Sequence, residues 1–565
     1  MKRVFALFLS ALLGSTIISA QTTLKGSILS IDFSEGIAER GGNDLTVGLN
    51  GISTSSNLAL LSVERAIEKA AGDDKIAMIF LKTDKYNSGL ASSEELRKCL
   101  ESFRASGKKV VSYATTFNDR SYYLASGSDL VVMNPSGDGT LSGMSSTLLF
   151  YKDILDTLGV KVQLIRHGKY KSAGEPYIRS DMSEAQKEQY EMMLGTIWNM
   201  MAEAIASSRD FTAEQFNEWI DNLSISNAEA AKEKGLVDEL WYDDQVRDYF
   251  CTLCDVKKTK DLKYVSLKDY AAARVKSNLR AKEKIAVIYA DGEIVMDDRG
   301  NGSIGNNFAK EIAKARQDSS IKAVVFRVNS PGGSVQASAA IEREIELLKA
   351  DKPVVASYGG YAASGGYWIS CGADKIFSDK STLTGSIGVF GLIPSFGKAL
   401  KKNVHLNVYE VSTHKHGALA TGMSPLDPEE EAMMQKQIDE TYEDFIGRVA
   451  AGRGLTTEAV DEIAQGRVWA GGDAIKIGLV DELGGLTDAI RYAASMASLE
   501  NYRVVTYPAV VPMYNQLLSS MNETGTDQDI RSDAVGVTER TARWLLGLDG
   551  PEIAARMPEI KVNLK

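Results

Sequence analysis

One short stretch of sequence occurs twice in this chain. The six residues GLVDEL stand at 235–240 and again at 478–483, a shift of 243 residues (478 − 235 = 243). A second ungapped match pairs YYLASGSDLVV from Tyr122 with YWISCGADKIF from Tyr367, at a shift of 245 residues (367 − 122 = 245). Because both matches keep the same order and nearly the same spacing, the chain is predicted to contain two tandem copies of one domain.

Each copy alternates predicted strands with predicted helices. In the second copy, apolar β-branched runs predict strands at 284–295, 321–328, 353–359, 375–379 and 405–411. Apolar residues at helical spacing predict helices at 308–318 and 334–350 and a further helix that begins near Ser364. Strands that alternate with helices pack as parallel βαβ units. Segments 180–222 and 413–465 are rich in Glu, Gln and Met and predict long helices that pack one copy against the other.

The length of the chain calls for more than one core. At 565 residues it exceeds the size at which a single core stops growing. We predict a signal peptide or membrane anchor at 1–20, a first copy at 25–255, a linker at 256–284, a second copy at 285–500 and a C-terminal extension at 501–565.

The first 20 residues have the pattern of an export signal. Lys2 and Arg3 precede a short apolar run, and small residues stand before Gln21. The apolar run is short for a membrane-spanning helix, which needs about 20 residues, so cleavage is favoured over retention as an anchor.

Composition excludes some partners and sites. The formal net charge is −11, which argues against nucleic acid as a partner because phosphate binding needs a basic face.

Cys251 and Cys254 have the CxxC spacing of a disulfide or of half a zinc site. No second ligand pair accompanies them, so an incidental or structural pair is favoured, and neither a metal nor a cofactor is predicted.

A hydroxyl stands in an otherwise apolar segment, YAASGGYWIS. Ser364 is followed by Gly365 and Gly366 at the predicted start of a helix, and the turn NSPGGS at 329–334 joins the preceding strand to another helix. Glycine pairs let backbone N–H groups approach a ligand, and helix N-termini favour anions. The pattern indicates a serine nucleophile beside an oxyanion hole, although a serine N-cap is the simpler alternative.

The internal repeat helps to decide between these alternatives. The first-copy position that matches Ser364 is Asp119 (364 − 245 = 119), and the first copy has no PGG turn. A packing device would recur in both copies. The serine and the glycines occur together in one copy only, which favours a specialised site.

A serine nucleophile needs a base. The four histidines, His167, His405, His414 and His416, stand in no recognisable triad order with an aspartate, so a Ser-His-Asp triad is unsupported. A lysine is the other candidate, provided that desolvation makes it neutral.

The repeat offers two lysines for this role. Lys171 follows the predicted strand 160–166 and adjoins Ser-Ala-Gly, whereas its counterpart Lys415 (415 − 171 = 244) stands in the polar segment THKHGA. Small neighbours allow Lys171 to be enclosed by the other copy. Lys171 is therefore the favoured base, and a base from the second copy itself remains the alternative.

Four motifs carry a resemblance to a known family. NSPGG, YAASGGYWIS, LTGSIGV and GKYKSAGEPYIR, in a duplicated chain with an export signal, closely resemble the signal peptide peptidases of the protease IV type. The resemblance implies an α/β fold of two tandem Clp protease/crotonase-like βαβ domains with additional interface helices. It implies a Ser–Lys dyad in which Ser364 is the nucleophile and Lys171 the general base. It also implies that Gly333 and Gly365 form the oxyanion hole and that Ser386 orients the lysine.

The resemblance also implies partners and location. We expect a homotetramer, associated with the membrane at the periplasmic face of the inner membrane, that degrades cleaved signal peptides without a cofactor. Two alternatives share the fold: a crotonase-like acyl-CoA enzyme and an inactive peptide-binding scaffold. The export signal argues against the first alternative, and the presence of both Ser364 and Lys171 argues against the second.

Overall fold

The computed structural model describes residues 26–48, 51–296, 303–305, 307–419, 421–508, 553–557 and 562–563. The predicted export signal at 1–20 lies outside the described residues, as do residues 509–552 of the predicted C-terminal extension. Within the described ranges, no helix combines the length and the apolar character needed to cross a bilayer.

The first copy alternates strands with helices. Its strands are β1 (Ser27–Ile31), β2 (Ile37–Ala38), β3 (Gly42–Gly48), β4 (Gly51–Ala59), β5 (Ile76–Lys82), β6 (Lys109–Ala114), β7 (Phe117–Asn118), β8 (Leu130–Met133), β9 (Gly139–Thr140), β10 (Ser145–Ser146), β11 (Lys161–His167), β12 (Glu239–Leu240) and β13 (Tyr264–Ser266). Its helices are α1 (Leu60–Ala71), α2 (Leu90–Ala105), α3 (Asp119–Ala125), α4 (Lys152–Leu158), α5 (Glu175–Ile178), α6 (Glu184–Ala206), α7 (Ala213–Asp221), α8 (Ala228–Glu233), α9 (Asp243–Cys254) and α10 (Leu267–Arg274).

The second copy repeats this alternation. Its strands are β14 (Lys284–Asp291), β15 (Glu293–Ile294), β16 (Ser303–Ile304), β17 (Ile321–Ser330), β18 (Gly332–Ser334), β19 (Val354–Ala363), β20 (Lys375–Ser378), β21 (Leu383–Gly385), β22 (Val389–Ser395), β23 (Val468–Ala470), β24 (Glu482–Leu483) and β25 (Arg503–Tyr507). Its helices are α11 (Phe308–Gln317), α12 (Val335–Asp351), α13 (Gly365–Trp368), α14 (Gly397–Val404), α15 (Pro428–Arg453), α16 (Thr457–Ile463), α17 (Gly471–Ala474) and α18 (Leu486–Met496). Near the C-terminus are β26 (Ile553–Arg556) and β27 (Val562–Asn563).

The two copies build equivalent parallel sheets. The first sheet has the order β12, β8, β6, β5, β1, β13. The second contains the equivalent order β24, β20, β19, β17, β14, β25, with β21 and β23 added beside β19. All pairs along both orders are parallel. The predicted parallel α/β architecture in tandem copies is confirmed.

Buried hydrogen bonds repeat between the copies as well. The Tyr122 hydroxyl donates to the Leu236 carbonyl oxygen at 2.7 Å, and the Tyr367 hydroxyl donates to the Leu479 carbonyl oxygen at 2.9 Å. The donor lies on α3 in the first copy and on α13 in the second copy. Each bond therefore joins the equivalent helix to the repeated GLVDEL segment. The two sequence matches therefore contact each other within each copy.

The edge strands extend beyond the predicted copy boundaries. β13 and α10 lie within the predicted linker, and β13 pairs with β1. β25 lies within the predicted C-terminal extension and pairs with β14. Each sheet thus takes its last strand from the segment that follows its copy.

A third sheet joins the copies. Its order is β11, β22, β26, β18, β15, β16, and the first-copy strand β11 pairs antiparallel with the second-copy strand β22 along its whole length. Helix α15 packs on β11, and helix α6 packs on β23. The predicted role of the 180–222 and 413–465 helices in packing copy against copy agrees with these contacts.

One predicted strand is wrong. Residues 405–411 form no strand, and Tyr409 and Val411 are 90% and 99% exposed. The alternating apolar residues at 405–411 predicted a strand, but a strand also needs a neighbouring strand with a free edge. The neighbouring strand β22 has β11 on one edge and β26 on the other, so it offers 405–411 no free edge.

Candidate active site

Ser364 stands at the junction of β19 and α13. Its backbone has φ 56° and ψ −118°, a conformation that is uncommon for a residue with a side chain and that concentrates at functional sites. Its N–H donates to the Gly385 carbonyl oxygen at 2.7 Å, and its own carbonyl oxygen accepts from Trp368 N at 2.8 Å. These bonds hold the serine at the N-terminus of a buried helix, and its side chain is fully buried.

Lys171 reaches this point from the other copy. It follows β11, whose pairing with β22 carries the first-copy chain into the second copy. The loop after β11 is fixed by a bond from Tyr170 N to the Gln465 carbonyl oxygen at 2.8 Å. A Cβ built on Gly466 would lie 2.6 Å from Lys171 N, so this close approach requires glycine.

The two side chains meet in a fully buried site. Lys171 Nζ lies 2.7 Å from Ser364 Oγ, and Lys171 is 0% exposed. Nζ also lies 2.8 Å from the Ser386 carbonyl oxygen and 3.0 Å from Ser386 Oγ. Burial lowers the pKa of Lys171 well below its ordinary value of 10.5, because the charged ammonium loses its hydration there.

A neutral amine fits this arrangement. It has two N–H donors for the two oxygens of Ser386 and one lone pair that can accept the Ser364 hydroxyl proton. Ser386 itself adopts φ 50° and donates its N–H to the Arg467 carbonyl oxygen at 2.7 Å. The structure therefore places Ser386 against the lysine amine, where sequence reasoning expected it.

The predicted oxyanion glycines lie beside the serine. Gly332 and Gly333 have φ 99° and 154°, which favour glycine. A Cβ built on Gly332 would lie 2.6 Å from Gly365 N, and one built on Gly365 would lie 3.1 Å from Gly333 N. The backbone nitrogens of Gly333 and Gly365 thus lie close together next to Ser364, where donors to a developing oxyanion are needed.

The alternative bases lie elsewhere. The Lys415 side chain is 63% exposed and pairs with Glu429. His167 Nδ1 lies 2.7 Å from Asp439 Oδ1, and its ring stacks on Tyr442. His416 pairs with acidic residues at the start of α15. Among the hydrogen bonds of the described residues, none joins a histidine to Ser364.

Sequence reasoning missed the residues that hold the lysine backbone. Arg166 Nη1 donates to the Lys171 carbonyl oxygen at 2.9 Å and to Glu175 Oε1 at 2.8 Å. The Glu175 side chain is buried. An arginine at the end of the predicted strand 160–166, with a glutamate nine residues later, was the available signal in the sequence.

The CxxC pair takes no part in this site. Cys251 and Cys254 are free thiols on α9, packed against the apolar cluster beneath the first sheet. They form no disulfide in the structure.

Comparison with known proteins agrees with the architecture. The model of Peptidase family S49 matches residues 102–282 and 346–500, and the Clp protease model matches residues 276–380. Protease 4 of Salmonella typhi is 34% identical over 536 residues, which is 92% of this chain and 85% of that protein. The chloroplastic serine protease SPPA of Arabidopsis thaliana is 31% identical over 500 residues, which is 87% of this chain and 72% of that protein.

A shorter relative matches one part of the chain. The putative signal peptide peptidase SppA of Enterococcus faecium is 38% identical over 205 residues, which is 36% of this chain and 58% of that protein. The matches to both family models confirm the predicted Clp protease-like fold in tandem copies. With the S49 model covering more than half of its residues, the chain belongs to peptidase family S49 and is a serine protease.

Proposed function

We propose that this protein is an endopeptidase that hydrolyses extended apolar peptides, cleaved signal peptides among them, with Ser364 as nucleophile and Lys171 as general base. The observation that carries the proposal is the 2.7 Å contact between Lys171 Nζ and Ser364 Oγ in a site where the lysine is fully buried. Burial favours the neutral amine, which is the form that can accept a proton.

The chemistry follows from these contacts. Ser364 Oγ attacks the carbonyl carbon of the substrate while its proton passes to Lys171 Nζ. The resulting ammonium is stabilised by the carbonyl oxygen and the hydroxyl of Ser386, and it returns the proton to the departing amine. Water then hydrolyses the acyl-enzyme by the same proton path. Ser386 acts as a positioning residue in both steps.

Backbone donors supply the second requirement. The backbone nitrogens of Gly333 and Gly365 lie beside Ser364, and Gly365 begins α13, whose N-terminus favours negative charge. Removing one oxyanion donor from a comparable site costs about 2.7–4 kcal/mol of transition-state stabilisation. These donors stabilise the tetrahedral oxyanion.

The shape of the site supports extended substrates. In the third sheet an extended strand, β26, lies between β18 and β22 and pairs with both through its main chain, so an extended peptide at that place can do the same. A folded domain cannot offer such a strand. The name of the Enterococcus relative agrees with signal peptides as substrates. The protease relatives favour peptide hydrolysis over the acyl-CoA chemistry considered above.

The cellular setting completes the proposal. The basic, apolar and small residues at 1–20 support export. We place the enzyme in the cell envelope, associated with the periplasmic face of the inner membrane, as a homotetramer. At that location the enzyme would be near cleaved signal peptides that remain in the bilayer after protein export.

A cleavage assay tests the proposal. The probe is a synthetic peptide of residues 4–20 of this chain, an apolar sequence of the signal type, and mass spectrometry follows its cleavage. We expect the wild type to cleave it and Ser364→Ala to be slower by on the order of 10⁶. Asp119→Ala, at the matching position of the first copy, is the control and retains activity. Near-normal hydrolysis by Ser364→Ala would refute the proposal, and so would turnover of a CoA thioester in place of the peptide.

A further inference from the structure

One short segment of the second copy lies between Lys171 and Ser386. The segment runs from Gln465 to Arg467, between α16 and β23. On one side, the Gln465 carbonyl oxygen accepts from Tyr170 N at 2.8 Å, directly before the lysine. On the other side, the Arg467 carbonyl oxygen accepts from Ser386 N at 2.7 Å. The 465–467 segment therefore fixes the backbone beside both residues that meet at the lysine amine.

The 465–467 segment contacts the loop after β11 backbone to backbone. A Cβ built on Gly168 would lie 2.6 Å from the Gln465 carbonyl carbon, and one built on Gly466 would lie 2.6 Å from Lys171 N. Gly466 N in turn donates to the Ile387 carbonyl oxygen at 2.7 Å. Because no side chain separates the two backbones, a rotation of the Gln465 peptide group would displace the lysine.

Gln465 is held in a conformation that is rare for a residue with a side chain. Its φ is 53°, in the left-handed region, which persists only where the surroundings fix it. Tyr442 of α15 provides this support. Its hydroxyl accepts from Gln465 N and from Gln465 Nε2, both at 3.3 Å, and donates to Asp461 Oδ1. Tyr442 is buried, so these bonds are largely shielded from competing water.

The first copy fixes the Tyr442 ring in turn. His167, the last residue of β11, stacks on this ring with the centroids 3.9 Å apart and the planes at 13°. His167 Nδ1 lies 2.7 Å from Asp439 Oδ1, one turn before Tyr442 on α15. A chain of contacts thus runs from α15 through Tyr442 and Gln465 to the backbone of Lys171.

We propose that Tyr442 and Gln465 are positioning residues that hold Lys171 Nζ against Ser364 Oγ and keep the lysine enclosed. This inference rests on the proposed function. Among the hydrogen bonds of the described residues, neither side chain contacts Ser364, so both act through the backbone of the lysine. Neither residue belongs to the strands that we propose to pair with the peptide. Their loss should therefore slow proton transfer and leave substrate binding almost unchanged.

The state of the lysine gives this role a measurable signature. Burial lowers the pKa of Lys171. When the loop loosens, water reaches the ammonium and the pKa rises back toward its ordinary value. If this pKa rises by about one pH unit, the neutral fraction of the amine falls about tenfold at any pH below the pKa, but hardly changes above it. A general loss of folded enzyme would instead lower activity equally at every pH.

Tyr442→Phe tests the positioning role, because it removes the hydroxyl and keeps the ring that stacks on His167. On the residue 4–20 peptide, we expect the acid limb of the kcat profile to move up by about one pH unit, so that kcat in that limb falls about tenfold. We expect a smaller loss on the alkaline plateau and a KM within about twofold of the wild type. A wild-type profile, or an equal loss at every pH, would overturn the inference.

Tyr122→Phe is the matched control. It removes another buried tyrosine hydroxyl, one that donates to the Leu236 carbonyl oxygen at 2.7 Å within the first copy. We expect this variant to keep the wild-type kcat profile. The same displacement of the acid limb in both variants would show that the loss of any buried hydroxyl is sufficient, and would contradict a specific role for Tyr442.

Gln465→Asn provides a second variant at the other end of the contact. Asparagine tolerates left-handed backbone, but its shorter side chain cannot reach the Tyr442 hydroxyl as Gln465 Nε2 does. We expect the same displacement of the acid limb as in Tyr442→Phe. The double variant should be within about twofold of the worse single variant, because both changes break one contact. Losses that multiply in the double variant would show two independent effects and contradict a shared path to Lys171.

Ser364→Ala in the same assay separates this inference from the proposed function. Hydrolysis that is lost in Ser364→Ala but has a wild-type profile in both Tyr442→Phe and Gln465→Asn refutes the positioning role alone. Hydrolysis that persists in Ser364→Ala refutes the proposed function, and the positioning role with it.

Discussion

The two copies share a scaffold but differ at the start of one helix. In the second copy, Ser364 directly precedes α13, and its hydroxyl oxygen lies 2.7 Å from Lys171 Nζ. In the first copy, Asn118 caps α3, and the buried Asp119 accepts from Ser142 N at 3.2 Å and from Gly143 N at 3.4 Å. The Asp119 carboxylate accepts hydrogen bonds from backbone N–H groups and offers no hydroxyl that could serve as a nucleophile. The first copy therefore keeps the fold at this point, whereas the second copy carries the residue that we propose as the nucleophile.

The two matching lysines also differ between the copies, but here the first copy has the buried residue. Lys171 of the first copy is fully buried, whereas Lys415 of the second copy is exposed and its pKa is raised by a hydrogen bond with Glu429. The cause lies in the preceding segments: β11 pairs with β22, but 405–411 has no partner strand. In the proposed dyad each copy thus contributes one residue, and burial favours Lys171 over Lys415 as the base.

The largest expected effect separates the two lysines. Lys171→Arg keeps a long basic side chain of similar size but stays protonated near neutral pH and cannot accept the serine proton, so we expect peptide hydrolysis to fall by on the order of 10⁴ or more. Lys415→Arg, the matched change in the second copy, retains most of the activity. Steady-state kinetics on the residue 4–20 peptide measures both. Activity in Lys171→Arg together with loss in Lys415→Arg would place the base in the same copy as the serine.

A smaller effect concerns how the copies hold together. The buried Arg327 of β17 donates to Glu39 Oε2 at 2.8 Å and to Glu95 Oε1 at 2.7 Å, both in the first copy. The matching first-copy residue, Lys82 (327 − 245 = 82), is one-third exposed and pairs with Asp243. Loss of one partner from a buried ion pair costs about 3–5 kcal/mol, and loss from an exposed pair costs about 0–1 kcal/mol.

We therefore expect Arg327→Met to destabilise the protein far more than Lys82→Met. Urea denaturation followed by circular dichroism gives the two midpoints. Similar midpoints for both variants would show that the Arg327 pairs add no stability across the copies.

The smallest expected effect is at Asp119. Burial raises the pKa of this carboxyl to about 6 from its ordinary 3.8. The folded state then binds more protons than the unfolded state between these values, so the contribution of Asp119 to stability falls as pH rises from about 4 to 6. Asp119→Asn removes this dependence and raises stability at pH 7 by about 3 kcal/mol. Thermal melts at pH 4 and pH 7 measure the change, and peptide hydrolysis is unaffected. A wild type whose stability relative to Asp119→Asn is the same at both pH values would contradict the raised pKa.

Sequence reasoning recovered the parts of the molecule that are local or repeated. The repeat predicted two equivalent α/β copies, and the small residues around Ser364 and Lys171 indicated a tight site. It failed at 405–411, because a strand needs a partner edge that apolar alternation cannot supply. The pairing of β11 with β22 also lay beyond it, since contacts more than 200 residues apart leave no local pattern. The strand at 321–328 was predicted, but the contact of the Arg327 charge with two first-copy carboxylates was not.

The central claim is that a lysine of the first copy activates a serine of the second. Its most direct test is the pH dependence of covalent labelling by a fluorophosphonate, with the labelled residue located by mass spectrometry. We predict one label, on Ser364, at a rate that rises with pH along a single ionisation well below pH 10.5, because the amine must lose its proton first. In Lys171→Met we predict that this labelling disappears. A label on another serine, or an unchanged rate and pH profile in Lys171→Met, would contradict the account.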